Sequence, residues 1–147
     1  MTEAHQTPDA FNNRCTNAAL ALHSCLDHFI ERVSLNQSHE NPQDNALDVW
    51  LHKGPEAPSV VISLPGLRSV RPLEADLVPS VIDGISLVHL PRLPAPWPAE
   101  AVGRIERTTD LPELAWLRIT GPLEVDALAS VVTVYRAPSD NEASVLR

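Results

Sequence analysis

Proline placement limits this chain more than any other feature. Of its 14 prolines all but Pro8 lie after residue 40, against only five glycines. Each proline removes a backbone donor and disfavours helix for the residue before it. The second half of the chain is therefore restricted to short elements. Uninterrupted regularity is left to one stretch, Thr7 to Asn36. There Phe11, Cys15, Ala18, Leu22, Cys25 or Leu26, Phe29 and Val33 recur at steps of three and four, which predicts one face of a single helix. Thr7 suits its N-cap, Pro8 its first position and Asp9 the positive end of its dipole. Asn36 and the polar run behind it suit its end.

Beyond that helix the prolines and turn residues mark out shorter units. Gln37 to Asn45 reads as a loop. Leu47 to Leu51 alternates, and Ser59 to Leu64 is β-branched, with a turn between them, so the two predict a hairpin. Pro72 and Pro79 bracket a stretch that reads as one helical turn or an irregular crossing. Ile85 to Leu90 reads as a third strand, and Pro91 to Pro98 as an extended loop displaying Leu93 and Trp97. Pro98 to Arg107 reads as a short second helix, weakened by Gly103 and aided by the Glu100–Arg104 spacing. Leu114 to Thr120 gives a fourth strand, with Leu114 and Trp116 on one face and Ala115, Leu117 and Ile119 on the other. Ala129 to Tyr135 gives a fifth. The fold class is α+β: an N-terminal amphipathic helix packed on a mostly antiparallel sheet of about five strands, with one short further helix. One domain is expected, with loose tails at 1–6 and 137–147. Ser63-Leu64-Pro65-Gly66-Leu67 is echoed at His89 to Leu93 and at Thr120 to Leu123. The third copy breaks the offset and no asparagine ladder accompanies it, so a leucine-rich solenoid is disfavoured.

Charge and cysteine usage narrow the functional classes. The net charge is −8, with Lys53 the only lysine and the arginines scattered, so no basic stripe exists to follow a phosphate backbone and nucleic acid is excluded as the expected partner. No apolar run is long enough to span a membrane and no secretory leader is evident. Cys15 and Cys25 fall on the apolar face, as core thiols do in a reducing compartment, so a cytoplasmic location is expected.

Chemistry-bearing clusters are sparse. His23, Cys25, Asp27 and His28 are metal-ligand types, but on a helix the His23/Asp27 and Cys25/His28 pairs point different ways. The expected reading is a His23–Asp27 surface pair and no metal site. Gly84 to Val88 lacks the second glycine of a nucleophile elbow, and no glycine-rich nucleotide cradle occurs. Glu74 with Asp76, and Glu124 with Asp126, read as solvated turn carboxylates. No cofactor is called for. Trp50, Trp97, Trp116 and Tyr135 lie on or beside the strands and read either as core or as contact residues, the contact reading resting on Trp97 in the Pro-rich loop.

Three features together carry a family resemblance: the N-terminal helix from Thr7; the Leu47–Leu51 and Ser59–Leu64 hairpin; and the Ile85–Leu90 strand running into a Pro-rich loop and the helix from Pro98. In this layout and in its acidity the chain, over residues 8–136, resembles the class I chaperones of bacterial type III secretion. That resemblance implies a noncatalytic adaptor or regulator that binds a partner protein, either a secreted effector or a regulator, and acts as a homodimer. Phe11, Leu22, Leu26, Phe29, Val33, Val49, Val60 and Ile62 would lie near the client groove, with Trp97 as a further partner contact. Val102, Ile105 and Trp116 would lie in the dimer seam. Two departures are plain: no C-terminal helix is evident after Tyr135, and the proline content is high. The alternatives are an immunity or antitoxin-type inhibitor, whose acidic face would cover a basic toxin site, and a small enzyme of unrecognised type.

Overall fold

The structure, a computed structural model, describes residues 8–38, 40–54, 57–74 and 77–137. The expected Thr7 cap, Asp76 of the Glu74–Asp76 pair, and the segments 1–6 and 138–147 of the expected tails lie outside the described residues. Helix α1 spans Pro8–His23. Among the described residues nine strands follow: β1 Phe29–Asn36, β2 Ala46–His52, β3 Ser59–Pro65, β4 Leu67–Val70, β5 Ser80–Val81, β6 Gly84–Leu90, β7 Leu114–Thr120, β8 Val125–Ala129 and β9 Thr133–Ala137. The class is α+β, one main helix against antiparallel sheets. The strands form two sheets, ordered β5-β1-β2-β3-β9 and β4-β8-β7-β6.

The helix expected over Thr7 to Asn36 stops at His23. Ser24 Oγ donates to Ala21 O, and the amides of Cys25 and His28 donate to Leu22 O and Cys25 O, so tight turns replace the helix. Phe29-Ile30-Glu31-Arg32-Val33-Ser34-Leu35 is instead a strand paired with β2. The step that suggests a helix, Phe29 to Val33, is four residues, which the period of two of a strand fits equally well. A bulge then puts the two out of step: the register slips between Ile30 and Arg32, so that Ile30, opposite Leu51, is buried, Phe29, opposite His52, is exposed, and Val33 opposes Val49.

The β2–β3 hairpin forms as the sequence predicts, with Val49 opposite Ile62 and Leu51 opposite Val60. After Pro65 the chain turns at Gly66, whose φ of 66° lies in the left-handed region. It then enters β4 in the second sheet, and Ser130 N donates to Gly66 O to hold the corner. The stretch after Leu67, left ambiguous by its prolines, contributes both β4 and the two-residue β5. The fifth strand is displaced: Ala129 ends β8, Ser130 to Val132 form a turn, and Thr133 to Ala137 form β9. Ala137 therefore belongs to a strand and not to a tail. The three leucine-proline echoes fall at strand exits, and all pairings are antiparallel, so they form no solenoid.

The two sheets share a core of Ile30, Leu47, Leu51, Ile62 and Leu64 from one side and Leu117, Ile119, Val125 and Ala127 from the other. Helix α1 packs on β6 and β9, one edge of each sheet, and so closes the open side of the sandwich. Cys15, Ala18 and Leu22 are the residues it buries there. Leu22 is almost wholly enclosed, worth roughly 2 kcal/mol of apolar transfer.

A second apolar cluster lies on the other face of the β4-β8-β7-β6 sheet. Trp116, Leu114 and Leu128 pack there against Trp97, Ala101 and Leu111. The last three come from the segment 91–113, which crosses the sheet as an irregular strap. The helix expected over Pro98 to Arg107 reduces to one 3-10 turn, Ala99–Ala101. Gly103 adopts φ 90°, outside helical space, and stops it.

Candidate functional site

Uncovered apolar surface collects where α1 ends. Leu20 on the helix is 68% exposed, Leu26 in the following turn 40% and Phe29 at the start of β1 39%. Two grooves flank this corner. One, of about 420 Å³, runs between α1 and β6 past Leu20, His23 and His89. The other, of about 510 Å³, runs between the end of α1, the β2–β3 turn and β9. Its apolar lining comes from Ala21, Val60 and Val134, and Lys53, Tyr135 and Arg136 stand around it. Tyr135 is 47% exposed. Among the described residues no strand pairs with the outer edge of β9.

The titratable side chains at this corner are held by one another. Asp27 accepts from His28 Nδ1 at 2.8 Å and faces Lys53 Nζ at 3.2 Å. These two partners, the imidazole first, hold its carboxyl below the usual carboxylate range. Burial pushes the Cys25 thiol up, against a lowering hydrogen bond from Ser24. Burial likewise pushes Cys15 up to about 11. Neither thiol is a ready nucleophile, and both are unbridged.

The set His23, Cys25, Asp27 and His28 does not converge. His23 lines the β6 groove, whereas Cys25 and His28 line the β9 groove. The His23–Asp27 pair required a helix that has already ended, and Asp27 turns to His28 and Lys53 instead. Among the described residues no three ligand-type side chains are grouped to hold a metal.

The residues assigned to a partner surface divide by burial. Leu26 and Phe29 are exposed, and Phe11, Val33 and Val60 are half-buried at the margin of the core. Leu22, Val49 and Ile62 are enclosed in this chain's own core, and Trp97 is buried in the second cluster. These four present no surface to a partner. Trp97 donates from Nε1 to Pro91 O at 2.7 Å, and the Arg107 guanidinium lies 4.4 Å over its ring. Of the seam residues Val102 is 64% exposed, Ile105 packs at the margin of the strap and Trp116 is buried beneath it. A dimer formed through Trp116 would require the strap to leave first.

The strap is anchored by polar contacts. Arg107 donates to Pro91 O and Ala95 O, at 3.1 and 2.7 Å. Asp126, read from the sequence as a solvated turn residue, is in fact a hub: it accepts from Arg104 and from Trp116 Nε1, the latter at 2.8 Å, with Arg71 Nε at 3.5 Å. Burial pushes its carboxyl up, but the Arg104 and Trp116 hydrogen bonds outweigh that and hold it below the ordinary value.

Sequence reasoning overlooked Leu20 and Arg136 and did not place Tyr135 beside the helix end. Leu20 is out of phase with the buried stripe and so could have been read as exposed. The position of β9 beside β3 had no local signal, because Val61 and Tyr135 stand 74 positions apart in the chain and only the register brings them opposite.

No protein-family model matches this chain, and no curated protein and no solved structure matches it either. No helix among the described residues is long and apolar enough to cross a membrane.

Proposed function

We propose that this chain is a noncatalytic protein-binding adaptor of the secretion-chaperone or chaperone-like regulatory kind, working in the cytoplasm. One observation carries this reading: Leu20 and Tyr135 stand exposed on the two grooves that flank the end of α1, and Leu26 and Phe29 stand exposed in the chain just after it. Large apolar side chains grouped at one corner are characteristic of surfaces that another polypeptide covers. Both grooves are bordered by the helix and by edge strands, an arrangement that suits an extended segment. Two unbridged cysteines are consistent with a reducing compartment.

Co-expression with the product of a neighbouring gene, followed by size-exclusion chromatography and light scattering, tests the proposal. The expected result is a complex of fixed stoichiometry that Leu26→Asp with Phe29→Asp abolishes while the circular dichroism spectrum is unchanged. A complex indifferent to those substitutions would contradict it.

A further inference from the structure

We infer that the groove beside β9 accepts an acidic, alternating strand of a partner polypeptide, added antiparallel to the outer edge of β9. This rests on the protein-binding reading and specifies the partner's chemistry at one of its surfaces. Three observations carry it. Among the described residues no strand pairs with the outer edge of β9, the kind of edge to which another strand can add. The groove of about 510 Å³ lies between the end of α1, the β2–β3 turn and β9, with Ala21, Val60 and Val134 as apolar lining. Its rim is cationic: Lys53 and Arg136 stand there in a chain whose net charge is −8.

The ionic balance of the rim favours a carboxylate. Asp27 is the acidic group nearby, and it is already shared between His28 and Lys53. Arg136 takes part in no ion pair among the described residues, and its side chain is exposed. Strand alternation puts Val134 and Arg136 on one side of β9 and Tyr135 on the other. Val134 opposes Ile62 and Arg136 opposes Val60, the two core-side positions of β3. A strand laid beside β9 therefore meets an apolar position and, two residues along, a positive one. The complementary sequence carries an aliphatic residue and a carboxylate two positions apart. Its intervening residues pass beside Tyr135, where hydroxyl-bearing or aromatic side chains suit the exposed ring.

The test uses the full chain and two fluorescein-labelled decapeptides. One repeats Thr-Val-Thr-Glu; the other has lysine at each glutamate position. Fluorescence anisotropy should show the glutamate peptide binding with an affinity that falls as salt rises, and the lysine peptide about tenfold weaker. Arg136→Glu should cost the glutamate peptide about tenfold and reverse the preference. Amide exchange at β9 should slow when the glutamate peptide is present. Equal binding of the two peptides, indifference to Arg136→Glu, or protection confined to the β5 edge would overturn the inference. So would β9 amides already protected in the free protein, since a segment of this chain would then fill the edge. If Arg136→Glu leaves the complex with the neighbouring gene's product intact, this inference falls alone. If no complex forms at all, the reading beneath it falls as well.

Discussion

Asp126→Asn isolates the anchor of the strap. The substitution keeps the shape of the side chain and removes its charge beside Arg104, whose side chain is only 9% exposed. Breaking a fully buried ion pair costs about 3–5 kcal/mol and an exposed one under about 1. The Arg104–Asp126 pair lies near the buried limit, while Arg71, the third partner, is largely exposed and adds little. The Trp116 hydrogen bond survives, because an amide oxygen still accepts it. The expected loss is therefore about 2–3 kcal/mol. Asp126→Ala also orphans the Trp116 N–H and should cost about 1 kcal/mol more. Arg104→Met combined with Asp126→Asn removes both charges and should be less destabilised than Asp126→Asn alone. Urea unfolding followed by tryptophan fluorescence is the assay, since Trp97 and Trp116 both belong to the cluster under the strap. The pH profile gives an independent check. The folded carboxyl titrates below its unfolded value, so its stabilisation is complete above about pH 4 and is lost as pH falls through the folded value. Asp126→Asn should lack that acid-sensitive component. A loss below about 0.5 kcal/mol, or an unchanged acid profile, would refute the assignment of Asp126 as the anchor.

Three further outcomes follow from the packing and the backbone. Leu22→Ala should destabilise the fold by about 3 kcal/mol in urea titration, because Leu22 is almost wholly enclosed where α1 closes the sandwich. Gly66→Ala should cost roughly 1 kcal/mol, the cost of a left-handed backbone, with Ser130 Oγ rotating away from the new Cβ; the penalty should be about the same in a Ser130→Ala background, as paired melts would show. Cys15 and Cys25, both buried and with raised pKa values, should resist iodoacetamide at pH 8 in the folded protein and react in denaturant, read by mass spectrometry.

Local pattern carried the strands well where alternation and turns coincided. The β2–β3 hairpin, β6 and β7 all lie where periodicity placed them, and β7 divides its faces as read, with Leu117 and Ile119 in the main core and Leu114 and Trp116 in the second cluster. Pattern failed where one spacing fits two structures. The four-residue step from Phe29 to Val33 suits a helical face and an alternating strand alike, and a strand then passed for the continuation of a helix. It failed again where composition was ambiguous: the strap from Pro91 to Leu111 is held by Arg104, Arg107 and Trp97 through partners 6–22 residues distant, which no window detects. The candidate site suffered most. Its exposed members Leu26 and Phe29 were found, but inferred from a helical face that does not exist. Leu22, Val49 and Ile62 share the hydrophobicity of contact residues, and only the tertiary fold shows that they face inward.

Hydrogen–deuterium exchange on the free chain and on its complex with the neighbouring gene's product tests the adaptor reading most directly. Slowed exchange across residues 20–29 and in β9, with the strap 91–113 unchanged, is the predicted result. Protection confined to the strap, or no change anywhere, would contradict it.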